Sequence, residues 1–141
     1  MGVNLNPIRF VLGTDIDNVI FRGNTASGIL GVSNLWITEK YEVYSEKPFD
    51  VPELEVSIVP SLKGIPYKEV KCVKVTTELR TFQDMLDDAS DGYPSQSLLE
   101  SLSYYYETHN QSFSELEKGL SVSQLDTLNK FKQNAIEYYN E

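Results

Sequence analysis

Residues 73–86 read VKVTTELRTFQDML, and the spacing of their hydrophobic residues changes part-way along. Up to Thr76, hydrophobic and polar residues alternate, as in a β-strand with one buried face. Beyond it the hydrophobic residues recur every three or four positions, which is the spacing of an amphipathic helix: Leu79, Phe82, and Met85 or Leu86. Either Thr76 or Thr77 is a suitable N-cap for this helix. The stretch therefore predicts a junction between a strand-rich half and a helical half.

The residues before this junction favour strands around one short helix. The candidate strands are four alternating or hydrophobic runs: 8–12, 40–45, 54–59 and 69–76. We expect a one-sided, mostly antiparallel sheet, with Leu54, Val56 and Ile58 facing the core. Residues 24–31 fit a helix that has Asn24 or Thr25 as N-cap and Gly31 as C-cap.

The residues after the junction favour about four helices. Asp91-Gly92-Tyr93-Pro94 ends the first. The next runs through Leu98 to His109, and the last through Leu125 to Tyr139. Ser112-x-x-Glu115 and Ser121-x-x-Gln124 have the spacing of capping boxes, in which side chains satisfy the free N–H groups at a helix start. Strands followed by helices indicate an α+β fold with a C-terminal helical bundle.

Length and composition indicate one domain over residues 1–141, with a strand-rich half (1–76) and a helical half (77–141). The longest hydrophobic runs are far shorter than a membrane span, and no secretion signal is visible, so we expect a cytoplasmic protein. One cysteine and one histidine exclude zinc fingers and CxxC redox motifs. We therefore expect no metal and no cofactor, and we expect Cys72 to be a buried thiol on a strand.

The net charge of −9 is concentrated in the helical half. Residues 1–76 carry eight basic and nine acidic side chains, whereas residues 77–141 carry four and twelve. A surface with this balance repels phosphate backbones, which argues against direct nucleic-acid binding. It is typical either of a solvated helical surface or of a surface that binds a basic protein.

Asp15-Ile16-Asp17 is the sharpest catalytic candidate. The segment is similar to the DxD motif of Mg²⁺-dependent phosphohydrolases of the haloacid-dehalogenase type, in which the first aspartate attacks phosphorus. Asp87-Asp88 resembles their later acidic pair. The residues around both segments lack the expected βαβ alternation. The phosphohydrolase is therefore our alternative interpretation.

Other residues are assigned structural or interface roles. Arg80 and Asp84 are four apart on one predicted helix and are spaced to form an ion pair. His109 lies at a helix C-terminus, where a cation is favourable. The remaining candidates for a protein interface are tyrosines in two clusters: Tyr104, Tyr105, Tyr106, Tyr138 and Tyr139.

Residues 19–32 (VIFRGNTASGILGV) and 73–86 together resemble the effector domain of the type IV antitoxins of abortive-infection systems, the AbiE class. The likeness runs from about Val19 to the C-terminus. Its most specific part is Arg80-Thr81-x-x-Asp84-x-Leu86. The resemblance implies a bacterial or phage protein that neutralises a nucleotidyltransferase-type toxin by binding it.

Antitoxins of this class usually begin with a winged helix-turn-helix that binds DNA. About eighteen residues precede the first matching segment, which is too few for that module, so we expect this chain to carry only the protein-binding part. The expected function is a non-enzymatic, antitoxin-like or regulatory domain with Arg80, Thr81 and Asp84 as its structural motif.

Overall fold

The computed structural model describes residues 5–34 and 40–138, which form an α+β fold built on one mixed five-stranded sheet. The strands are β1 (Val19–Phe21), β2 (Tyr41–Ser45), β3 (Leu54–Ile58), β4 (Tyr67–Val70) and β5 (Val73–Thr76). Their order across the sheet is β3-β2-β1-β5-β4. The α+β prediction is confirmed. The predicted antiparallel character is only partly matched, because β1 pairs parallel with β5 and β2 pairs parallel with β3.

The first predicted strand is wrong, because residues 8–12 belong to the helix α1 (Asn6–Leu12). Pro7 lies in its first turn, where proline is well tolerated. Ile8 and Leu12 are four residues apart and both buried, whereas Phe10 between them points to solvent. Burial therefore follows the helical period here. A 3₁₀ helix (Gly13–Asn18) connects α1 to β1.

The predicted short helix is present as α2 (Gly23–Leu30). Gly31 ends it in the left-handed conformation, as predicted, with a φ of 80°. Asn24 or Thr25 was predicted as the N-cap, and this prediction is wrong. Arg22 occupies the N-cap position, and its side chain makes no capping hydrogen bond. The strand-rich half therefore contains α1 and α2 rather than one helix.

The predicted strand 69–76 is two strands, β4 and β5, joined as a tight antiparallel hairpin. Val70 pairs with Val73, and the two residues between them turn the chain with positive φ angles, 53° at Lys71 and 65° at Cys72. Positive φ at both central residues is the geometry of a hairpin turn. Cys72 is therefore exposed at the hairpin tip, and the prediction of a buried thiol is wrong.

Hydrophobic side chains pack on both faces of the sheet, in contrast to the predicted one-sided arrangement. Val19 and Phe21 of β1 pack into a core with α1 and α2, whereas Ile20 joins a smaller cluster with Tyr44 on the other face. β2 and β3 lie where they were predicted to within one residue. Leu54 of β3 is buried as expected, but Ile58 at the sheet edge is 59% exposed.

The residues after Thr76 form α3 (Glu78–Asp88), α4 (Gln96–Thr108), α5 (Ser114–Glu117) and α6 (Val122–Ile136). They share a second hydrophobic core whose largest fully buried side chains are Phe82, Leu86, Leu98, Leu102 and Leu128. Leu79, which was predicted on the hydrophobic face of the first of these helices, is 41% exposed. None of the helices in the described residues is long and apolar enough to cross a membrane.

The helix starts were predicted with mixed success. Thr77 is the N-cap of α3. The capping box of Ser121 and Gln124 is formed at the start of α6. The box predicted at Ser112 is not formed, because α5 begins two residues later with Phe113 as its N-cap. The Ser112 hydroxyl accepts a hydrogen bond from the backbone N–H of Ser114 instead.

Candidate functional site

The Arg80–Thr81–Asp84 motif lies where α3 leaves the sheet, and all three of its side chains are engaged internally. Asp84 Oδ1 accepts hydrogen bonds from the Tyr44 hydroxyl of β2 at 2.7 Å and from Arg80 Nε at 3.1 Å. The Thr81 hydroxyl lies 2.7 Å from that of Thr76, at the end of β5. The motif therefore fastens α3 to two strands, and the predicted Arg80–Asp84 pair is part of that connection.

Arg22 joins the motif from the turn between β1 and α2. Its guanidinium lies 3.6 Å from Asp84 Oδ2, 3.1 Å from Asp88 Oδ2 and 3.5 Å from Glu42 Oε1. The Arg22 and Arg80 guanidiniums both lie over the Tyr44 ring, with their central carbons 5.1 and 5.4 Å from its centroid. Such cation–π contacts add to the ion pairs where the charges are partly desolvated. The Asp84 carboxylate thus lies between two arginines.

Glu42 is held against the start of α2. Its backbone N–H donates to the Thr25 hydroxyl at 2.9 Å, and its carboxylate accepts from the backbone N–H of Asn24. Gly23 allows the Glu42 carboxylate to approach the backbone at the start of α2. It has a φ of +55°, and a Cβ placed there would lie 2.5 Å from Glu42 Oε1. Only glycine leaves room for the carboxylate in this conformation.

A polar groove opens beside this cluster and has a volume of about 420 Å³. It is lined by Arg22, Asn24, Glu42, Glu55, Ser57 and Asp88. A smaller recess of about 190 Å³ shares Asn24 and Asp88 with it and extends to Tyr93, whose side chain is 95% exposed. The lining carries more carboxylates than cations, so the groove is electrically negative.

Burial and charge shift the ionisation of this cluster. Burial raises the pKa of Glu42 to about 7 against the lowering effect of Arg22, and Asp88 and Glu55 contribute smaller increases to that value. Burial likewise raises the pKa of Asp84, against the lowering effect of Tyr44, Arg22 and Arg80. Burial alone would lower the pKa of Arg22, but Asp88 and Asp84 hold it above its ordinary value. The cluster can therefore exchange a proton near neutral pH at Glu42.

The aspartates of the phosphohydrolase interpretation are dispersed over the structure. Asp15 and Asp17 lie on the 3₁₀ helix before β1, whereas the resemblance requires them to follow a buried strand. Asp15 pairs with Lys47 at 3.3 Å, and Asp87 accepts from Gln124 of α6. Within residues 5–34 and 40–138, no three His, Cys, Asp or Glu side chains are placed to hold a metal ion.

The tyrosines proposed for an interface have different surroundings. Tyr104 is 49% exposed, whereas Tyr105 is buried and stacks on His109, with ring centroids 3.7 Å apart. Tyr106 packs on Phe113. The Tyr138 hydroxyl donates to Glu100 Oε2 at 3.1 Å, and Tyr139 lies outside the described residues. Only Tyr104 among the described four presents a large part of its ring to solvent.

The sequence interpretation missed Arg22, Glu42 and Tyr44. Their only local signals are weak: an arginine and a glycine directly after a hydrophobic run, and a strand with a charged residue on one face. No known protein family matches this chain, and no curated protein matches it either.

Proposed function

We propose that this chain is a non-enzymatic, antitoxin-like protein-binding domain, whose acidic helical half binds and neutralises a basic, nucleotidyltransferase-type toxin. The observation that carries the proposal is the charge of the surface formed by residues 77–138. Eight acidic side chains there are exposed: Glu78, Asp87, Asp88, Asp91, Glu107, Glu115, Asp126 and Glu137. Only two basic side chains are exposed in the same range, Lys118 and Lys130.

Such a surface is suited to a basic partner, because complementary charge accelerates encounter and selects against wrong partners. The inward-facing motif supports the same conclusion. The side chains of Arg80, Thr81 and Asp84 make hydrogen bonds that connect α3 to the sheet. They therefore act as a scaffold that fixes the position of the acidic helices. The partner would then contact the helix surface rather than the motif.

The test is co-expression with the nucleotidyltransferase-like product of a neighbouring gene, scored by co-purification and by rescue of growth. The charge-reversal variant Glu107→Lys/Asp126→Lys changes one exposed residue on α4 and one on α6. The matched control, Asp50→Lys/Glu53→Lys, makes the same charge change at exposed positions of the strand-rich half. We expect rescue by the native chain and by the control, and at least a tenfold weaker association for the helical variant.

Absence of both co-purification and rescue would overturn the proposal. Equal loss in the two double variants would show that net charge, and not the helical surface, governs binding. A phosphatase activity of the purified chain that disappears in Asp15→Asn would instead establish the phosphohydrolase interpretation.

A further inference from the structure

The cluster around Arg22 contains more negative than positive charge. Four carboxylates, Glu42, Glu55, Asp84 and Asp88, surround two guanidiniums, those of Arg22 and Arg80. Arg22 alone lies within 3.6 Å of three of these carboxylates. Each arginine has one charge to share, so the carboxylates repel one another even when every ion pair is formed.

The sheet register adds to this imbalance. Glu42 of β2 lies directly beside Glu55 of β3 in the parallel pair, and like charges at opposed positions destabilise a sheet. Asp88 approaches Glu42 from the end of α3. Gly23 and the Asn24 N–H close the α2 side, so the Glu42 carboxylate is about nine-tenths buried, with a side-chain exposure of 12%. Water reaches the Glu42 carboxylate from the groove that it lines, so the repulsion is screened only in part.

We propose that this cluster is a proton-dependent latch between α3 and the sheet, which holds the C-terminal end of α3 more tightly when Glu42 carries a proton. The groups that face Glu42 come from every element packed around it. They are Arg22 and the Asn24 N–H before and within α2, Glu55 on β3, and Asp88 on α3; Tyr44, Arg80 and Asp84 complete the second layer.

Protonation of Glu42 strengthens the attraction between Arg22 and the aspartates of α3. A proton taken from solvent neutralises the Glu42 carboxylate, which removes its repulsion of Asp88 and Glu55. The Arg22 guanidinium then shares its charge between Asp84 and Asp88 alone, both of which lie on α3. The attraction between the β1–α2 turn and α3 therefore increases as the proton binds.

The pH dependence follows from linkage. The pKa of Glu42 is about 7 in the folded protein and about 4.5 in the unfolded chain, so the folded state binds the extra proton between these values. The penalty from the charged carboxylate is fully present above pH 7. It declines as the pH falls through 7 and disappears below about 4.5. The folding equilibrium constant should rise about tenfold from pH 8 to pH 6 through this residue alone.

Two measurements test the latch. The first is a ¹³C NMR titration of the glutamate side-chain carboxyls in the native chain, with Glu42 assigned by through-bond experiments, so that no variant is needed. We expect a midpoint near 7 for Glu42. A midpoint below about 5.5 would overturn the proposal.

The second measurement is amide hydrogen exchange at Asp87, Asp88 and Ala89, corrected for the intrinsic rate at each pH. Protection in the native chain should rise about tenfold between pH 8 and pH 6. The isosteric Glu42→Gln variant should show high protection at both pH values. The control Glu53→Gln, at an exposed position in the turn before β3, should behave like the native chain. A native-like pH response in Glu42→Gln would also overturn the proposal.

Discussion

Gly23→Ala is the substitution whose cost the structure defines most sharply. Two separate effects contribute. A φ of +55° is unfavourable for alanine and costs about 1 kcal/mol, and the new Cβ would meet Glu42 Oε1 at 2.5 Å. The carboxylate must then move, and it loses the Asn24 N–H and Arg22 that it contacts. Leaving the Asn24 N–H without its acceptor costs about 2 kcal/mol, so we expect a total of about 3 kcal/mol.

Gly31→Ala is the matched control, because it separates backbone strain from the displacement of Glu42. Gly31 has a φ of +80°, but a Cβ there would meet nothing within 4 Å. It should therefore cost only the strain, about 1 kcal/mol. In a Glu42→Ala background the clash is absent, and the cost of Gly23→Ala should fall to the same value.

Urea unfolding followed by circular dichroism measures the stability of the native chain and of four variants: Gly23→Ala, Gly31→Ala, Glu42→Ala and the double variant Gly23→Ala/Glu42→Ala. With an m-value of about 2 kcal/mol/M, a loss of about 3 kcal/mol lowers the midpoint by about 1.5 M. Equal losses for Gly23→Ala and Gly31→Ala would refute the steric argument. So would an unchanged cost of Gly23→Ala in the Glu42→Ala background, because the clash requires the carboxylate.

Two further predictions test local features. Ser121→Ala removes the capping box of α6 and should lower the free energy of unfolding in urea by about 1 kcal/mol. Ser112→Ala, at a position where no box is formed, should lower it by less than about half of that. Equal losses would contradict the assignment of the capping box to Ser121 alone. Cys72 lies exposed at the hairpin tip, so a maleimide should label it in the native protein at a rate close to that of a free thiol. Labelling that requires denaturant would place the thiol in the interior instead.

The strand-to-helix junction was predictable because its signals are local. The change of period at Thr76, the cap at Thr77 and the Arg80–Asp84 spacing all lie within nine residues. The same holds for Gly31 and for the Ser121 capping box. Neighbouring residues in the sequence determine these features, and the folded protein retains them.

The errors occurred where two structures satisfy the same local pattern. Residues 8–12 contain hydrophobic residues at both strand and helix spacings, and Pro7, which lies in the first turn of the helix, is also tolerated at the start of a strand. The β4–β5 hairpin carried no turn signal, because Lys71 and Cys72 take positive φ angles without glycine, asparagine or aspartate. β1 is only three residues long, so its period could not be read.

The candidate site could not be predicted from neighbouring residues in the sequence, for a different reason. The Arg80–Tyr44 hydrogen bond spans 36 residues of sequence, and the Arg22–Asp88 pair spans 66. Nothing in either segment specifies the other. The contact arises only because β2 pairs with β1 and α3 packs across α2, and that arrangement is a property of the whole fold.

Helix α3 shows why the scaffold and the binding surface must be tested with different substitutions. Asp84 and Asp88 are one helical turn apart, so both reach Arg22, and Asp84 is buried. Asp87 lies on another side of α3, where its carboxylate accepts a hydrogen bond from the side-chain amide of Gln124 on α6. Removing the Asp84 carboxylate would leave two arginines without their shared partner, a change that acts through the fold. Loss of partner binding in such a variant would therefore say nothing about the surface. Only exposed acidic residues outside this cluster, such as Glu107 and Asp126, can report on binding itself.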